Sequence, residues 1–170
     1  MKKVTLFLTF ICFVFLGQTQ EVKINQNDAD VSFYFHGDKV NGSVAGFEAN
    51  FSLNLKDLSS SSIKGSVDVS TLETGIKMRD KHLYSKDYFH GEKFPKMYFE
   101  SKKLEDKGDY IRVLGKLTIK ETSREEEFKL KMEKDKLILT TQINTADYDV
   151  MTKRNNDKTK VDVTITIPMK

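Results

Sequence analysis

The chain has no tryptophan, two prolines and a single cysteine. Few prolines beside twelve phenylalanines argue against a disordered, collagen-like or low-complexity chain. The cysteine, Cys12, lies in the N-terminal apolar run. Phe10 and Ile11 before it are bulky where a lipid-attachment motif wants small residues. With that run removed, no disulfide framework, thiolate metal site or cysteine nucleophile is left. Charge of one sign is also scarce, with 28 basic against 25 acidic residues. Lys2 and Lys3 supply two of the three surplus positive charges. The remainder is almost neutral and lacks the basic excess that marks nucleic-acid binders.

Long apolar stretches are absent too. The run from Val4 to Leu16 is shorter than the roughly 20 residues a spanning helix needs. It follows Met1-Lys2-Lys3 and gives way to Gly17-Gln18-Thr19-Gln20. A positive start, a short apolar core and a small-residue exit describe a secretory signal peptide over residues 1–20, with a single mature domain over 21–170. The protein is therefore expected in the periplasm or outside the cell. A domain of this size buries roughly 68–70% of its chain surface without a covalent staple.

What is present is alternation. Phe47, Ala49, Phe51, Leu53 and Leu55 alternate with polar residues, as do Ile63, Gly65, Val67 and Val69. The same period of two runs through Ile111–Ile119, Phe128–Met132, Leu137–Ile143 and Val161–Ile167, with shorter candidates at Val31–His36 and Lys96–Lys103. Each reads as a strand with one apolar and one wet face. Turn signals at Gly37-Asp38, Lys56-Asp57, Lys107-Gly108-Asp109 and Glu133-Lys134-Asp135 separate them. About eight such strands with short turns predict an all-β antiparallel sandwich or barrel.

Thr71 to Pro95 breaks the rhythm. This stretch is expected to form a crossover with a short helix over Lys81–Lys86, capped by Asp80. A loop this long in a compact domain usually serves function.

Catalytic motifs are missing. His82 and His90 have no metal-ligand spacing, and no metal site is expected. There is no Gly-x-Ser-x-Gly turn and no phosphate-cradling glycine loop. Glu125-Glu126-Glu127 reads as a solvated strand start. The apolar face remains. An eight-stranded barrel is just wide enough to be filled by side chains or to hold one slender ligand. Ala49, Gly65 and Gly115 fill little volume, while Phe51 and Phe99 could fill what they leave. Alternation leaves both outcomes open.

Several stretches, in this order and spacing, resemble one family. They are Val40-x-Gly42-x-Val44-x-Gly46-Phe47, Gly65-Ser66-Val67-Asp68-Val69, Thr74-Gly75-Ile76, Arg79-Asp80-Lys81-His82-Leu83, Asp87-Tyr88-Phe89, Phe94-Pro95-x-x-x-Phe99-x-Ser101 and Gly115-Lys116-Leu117-Thr118-Ile119-Lys120. The chain looks like a member of the YceI-like lipid- and polyisoprenoid-binding family from about Val22 to Ile167. It departs from that pattern at Ile143-Asn144-Thr145-Ala146-Asp147-Tyr148-Asp149, where the family often has Ile-Asn-Arg-x-Asp-Phe-Gly. Glu121 stands where a glycine often follows Leu-x-Ile-Lys.

The resemblance implies an eight-stranded antiparallel lipocalin-like barrel with a short helical crossover near residues 71–95. It also implies an elongated apolar pocket, residence in a bacterial periplasm or outside the cell, and homodimers. The expected ligand is an amphiphilic lipid such as a polyisoprenoid or an isoprenoid quinone, with no cofactor and no catalysis. Its tail is assigned to Phe47, Phe51, Leu53, Val67, Val69, Phe99, Ile111, Val113, Leu117, Phe128 and Leu130, and its head to Arg79 and His82. Two alternatives stand beside this reading. One is a protein-interaction or stress-response module with a filled barrel. The other is an enzyme acting on isoprenoid head groups through His82 and Asp80, and an Arg79–Asp80 pair that merely pins the crossover to the rim competes with the head-group role.

Overall fold

The computed structural model describes Val22, residues 24–150 and residues 158–170. The expected signal segment, with Cys12, lies outside the described residues. Nine strands follow one another: β1 (Asp30–Phe35), β2 (Val40–Ser43), β3 (Glu48–Ser52), β4 (Ser62–Asp68), β5 (Lys96–Asp106), β6 (Ile111–Ile119), β7 (Thr122–Glu133), β8 (Lys136–Asn144) and β9 (Lys160–Pro168). They form one sheet in the order β2-β1-β9-β8-β7-β6-β5-β4-β3. Every neighbouring pair is antiparallel.

The expected count of eight becomes nine because Val40–Ser43 is a strand of its own. Its four residues carry one large apolar side chain, Val40, and include Gly42, which is too little for alternation to register. The glycine has a packing reason. A Cβ there would stand 2.2 Å from the Phe33 ring and 2.5 Å from the Glu73 carbonyl oxygen.

The sheet curls on itself. Val31 and Phe33 of β1 face the same interior as Ile63 and Val67 of β4, near the opposite end of the strand order. The edge strands β2 and β3 do not pair with each other. The crossover spans the gap between them. Ser43 and Glu73 exchange backbone hydrogen bonds of 2.9 Å, and Asp68 N–H donates to the Ala45 carbonyl at 3.1 Å.

Alternate side chains point inward and form two clusters. Phe35, Val69, Leu72, Leu83, Phe89, Tyr148 and Val150 belong to the one beneath the crossover. Leu53, Leu104, Val113, Leu130, Leu137 and Ile167 belong to the other, which closes the far end. Val22 and Ile24 pack against this second cluster, and Ile24 bridges to Met169.

The crossover holds the only α-helix among the described residues, α1 (Lys77–Tyr84). It starts four residues before the expected Lys81, and Ile76, without a side-chain cap, stands at its N-terminus. Asp80 is not the cap. Its carboxylate lies in the first turn and accepts hydrogen bonds from both the backbone N–H (2.8 Å) and the hydroxyl of Thr74. Thr74 is buried, so its polar groups require a partner, and Asp80 supplies it by reaching backwards.

The two departures from the family's sequence pattern are absorbed locally. Asp149, where a glycine is usual, adopts the left-handed conformation at φ 56°. Aspartate tolerates that region better than most residues. Thr122 Oγ1 donates to its carboxylate at 3.1 Å, and Lys120 Nζ to its carbonyl at 3.1 Å. In the β6–β7 turn it is Lys120, with φ 57°, and not Glu121 that takes the left-handed conformation.

Candidate functional site

Between the two clusters the barrel is hollow. A cavity of about 280 Å³ runs along its interior. β1 contributes Val31, Phe33 and Phe35; the β2–β3 region contributes Val40, Val44, Phe47, Ala49 and Phe51. Ile63, Gly65 and Val67 of β4 and Met97 and Phe99 of β5 follow, with Leu117 and Ile119 of β6. Phe128, Leu139, Ile143, Val161, Val163 and Ile165 complete the ring, and Leu72, Leu83 and Phe89 of the crossover roof it.

The small residues explain part of the hollow. Gly65 and Ala49 are register partners and both face the cavity. At Gly65 a Cβ would find only ordinary contacts, 3.6 Å from the Glu48 carbonyl oxygen and 3.7 Å from Phe47. Gly115 differs. The Phe99 ring occupies its space, 2.4 Å from where a Cβ would stand, and packs edge-on to Phe128 with centroids 4.7 Å apart. One glycine therefore leaves room and the other is filled by a phenylalanine.

Polar groups lie at the crossover. Arg79 lines the cavity and is half-buried. Its Nε donates to Thr74 Oγ1 at 2.7 Å, and its Nη2 to the Thr74 carbonyl at 2.7 Å. With Asp80 on the same threonine, the three side chains tie the start of α1 to the preceding loop. Arg79 Nη1 makes no hydrogen bond among the described residues. His82 is exposed yet also lines the cavity, with its ring tilted against Tyr88 at 6.1 Å. No hydrogen bond joins His82 to Asp80 among the described residues. Among these residues no group of three or more His, Cys, Asp or Glu could hold a metal.

At another point of the wall, Tyr148 is fully buried and its hydroxyl donates to Glu126 Oε1 at 2.6 Å. Burial pushes the Tyr148 hydroxyl far above its ordinary range. Burial also raises Glu126, against the opposing pull of the tyrosine hydrogen bond, and Asp147 adds to the rise. Glu126 is thus a partner of the wall and not the solvated carboxylate its run of three glutamates suggests.

This geometry, a curled antiparallel sheet around an apolar void with a helical crossover as roof, agrees with the comparisons. The YceI-like domain profile matches residues 22–170. The chain belongs to the YceI-like family. A UPF0312 protein of Photorhabdus laumondii is 32% identical over 78 residues, 46% of this chain and 41% of the relative. A UPF0312 protein of Yersinia pestis is 31% identical over the same span. The matched stretch thus covers about two fifths of these curated relatives.

Solved structures share the fold. BcnA of Burkholderia cenocepacia superposes with a TM-score of 0.76 at 19% identity, covering 85% of this chain and 98% of that one. The Campylobacter jejuni YceI protein gives 0.68 at 18% identity, covering 100% and 99%. A polyisoprenoid binding domain from Saccharophagus degradans, implicated in plant cell wall breakdown, gives 0.59 at 10% identity, covering 88% and 98%.

Within the YceI-like barrel, six of the expected tail residues line the cavity: Phe47, Phe51, Val67, Phe99, Leu117 and Phe128. Leu53, Val69, Ile111, Val113 and Leu130 do not. Leu53, Val113 and Leu130 are at most 1% exposed and form the solid far end, and Ile111 packs against them. Val69 is buried in a 3₁₀ turn after β4, within the cluster beneath the crossover. Alternation identifies the inner face of a strand but not the height along the barrel at which the hollow lies. Phe33, Phe35, Val161 and Val163 were readable from the same alternation. Tyr148 and Leu83 had no period to betray them.

Proposed function

We propose that this YceI-like protein binds and carries the hydrocarbon tail of an amphiphilic lipid, a polyisoprenoid or isoprenoid quinone, without transforming it, in the periplasm or outside the cell. The observation that supports this reading is the apolar cavity of about 280 Å³ held open between two packed clusters. Each buried methylene contributes about 0.8 kcal/mol, so some twenty carbons give a gross gain of about 16 kcal/mol against association costs of roughly 4–15 kcal/mol. Tail burial then leaves a net gain of about 1–12 kcal/mol, and the head group selects the ligand.

In this reading the head lies beside Arg79 and His82. Two donor groups of Arg79 already serve Thr74, which leaves Nη1 to meet a phosphate or a quinone oxygen. The polyisoprenoid binding domain from Saccharophagus degradans, which shares the fold, is in keeping with this ligand class. A filled-barrel interaction module is disfavoured by the void. An enzyme using His82 with Asp80 is disfavoured by the capture of the Asp80 carboxylate by Thr74.

Solvent extraction of the folded, purified protein followed by mass spectrometry tests the proposal. An isoprenoid or similar lipid in near-stoichiometric amount is expected. Bare polypeptide, under conditions that retain lipid in a known carrier, would overturn it.

A further inference from the structure

The roof of the cavity has an outer surface that the carrier reading does not use. Gly75, Ile76, Lys77 and Met78 form an unbroken exposed stretch at the start of α1. Ile76 is 54% exposed and Met78 is 75% exposed, the highest value among the exposed large apolar side chains. Among the described residues the other large exposed apolar side chains, Leu55, Tyr98 and Met132, stand singly in the sequence. Gly75, at φ 80° with open space where a Cβ would be, turns the chain outward at this point.

The helix divides its residues by face. Leu83 and Arg79, four apart, face the barrel. Met78 and Lys81 share the outer side, His82 stands between the two faces, and all three are exposed. The charge on this side is lopsided. Lys77, Lys81 and Lys86 are exposed and make no ion pair among the described residues. The one carboxylate within Gly75–Lys86 is Asp80, and Thr74 occupies it. Glu73 and Asp87 flank the segment at its two ends. Two apolar side chains amid free lysines fit a surface that is apolar beneath and anionic above. His82 is exposed and also lines the cavity, so the surface adjoins the proposed head-group position.

We propose that the Gly75–Lys86 corner docks the protein on an anionic lipid bilayer, with Ile76 and Met78 inserted among the acyl chains and Lys77, Lys81 and Lys86 on the phosphates. Docking places the roof of the cavity, with Arg79 and His82, against the membrane. That this serves lipid transfer rests on the carrier reading, whereas the docking itself stands on the surface alone.

The test is flotation of the purified protein with vesicles. One set is pure phosphatidylcholine and the other contains phosphatidylglycerol. Binding is expected to the second set only, and to weaken as salt approaches about 1 M, where charge is screened within about 3 Å. The I76D/M78D and K77E/K81E variants are each expected to bind roughly tenfold more weakly or worse. Both are expected to keep the wild-type melting temperature and to take up a fluorescent isoprenoid probe from detergent as wild type does. Equal partition into both vesicle sets, undiminished binding by either variant, or retention only by vesicles carrying membrane proteins would overturn the docking proposal. Loss of probe uptake by the wild-type protein would count against the carrier reading and leave vesicle binding intact.

Discussion

Two glycines on inward positions of β4 and β6, the strands on either side of β5, should respond to substitution in opposite ways: Gly65 and Gly115. Gly65 faces the cavity, and a Cβ there meets nothing closer than 3.6 Å. In Gly65→Leu the new side chain enters the hollow. It removes a strand-interior glycine, worth roughly 0.5–1 kcal/mol, and buries apolar surface that contributes up to about 1.5–3 kcal/mol. The same leucine displaces about four ligand carbons, or about 3 kcal/mol at 0.8 kcal/mol each, which is roughly two orders of magnitude in Kd. Gly115→Ala forces a methyl to within 2.4 Å of the Phe99 ring and 2.5 Å of the Glu100 carbonyl oxygen. Overpacking of that kind costs about 1–3 kcal/mol. Displacement of an environment-sensitive fluorescent lipid reads affinity, and thermal unfolding by circular dichroism reads stability. Gly65→Leu is expected to lose the ligand with an unchanged or raised Tm, and Gly115→Ala to lose Tm. If Gly65→Leu binds the probe as wild type does, the hollow is not the binding site. If it unfolds as readily as Gly115→Ala, the room beside Gly65 is not there.

Two further outcomes can be measured directly. Arg79→Ala removes both hydrogen bonds to Thr74 and should lower denaturation stability by about 1.5–3 kcal/mol, as expected for a charged donor lost from a partly buried network, with Arg79→Lys recovering little of it. Glu105 is held down to about 2, by Lys103 first and then by Arg112 and Lys107, so its carboxylate favours the folded state above its ordinary range near 4.5. That contribution disappears as the pH falls from about 4.5 to about 2, and Glu105→Gln should flatten the acid limb of a stability–pH curve over that window and leave the limb above pH 6 in shape.

The sheet was legible because one face is wet. Ile111–Ile119 is a strand end to end, as its alternation predicts, and Val161–Ile167 lies within Lys160–Pro168. β2 escaped because four residues with one large apolar side chain carry no period. Asp80 was chemically right and topologically wrong. Its carboxylate does satisfy backbone near a helix start, but that of Thr74, a contact set by tertiary burial and not by local spacing. The site was half legible for a similar reason. Val67 and Val113 read alike in sequence, yet one lines the hollow and the other closes the far end, and only the stagger of the strands separates them.

The stitching at β2 has a consequence for what the protein can admit. Elsewhere around the tube, neighbouring strands are joined by ladders, interrupted between Ser101 and Lys103 where β5 meets β6 and nine register pairs long between β6 and β7. Where β2 and β3 fail to pair, the clasp consists of the Ser43–Glu73 exchange, the Asp68–Ala45 hydrogen bond and Ala45 N–H on Thr71 Oγ1 at 2.8 Å. Unfastening those few bonds would break no ladder. A guest wider than the resting hollow would meet its least resistance here, where no strand pair has to part.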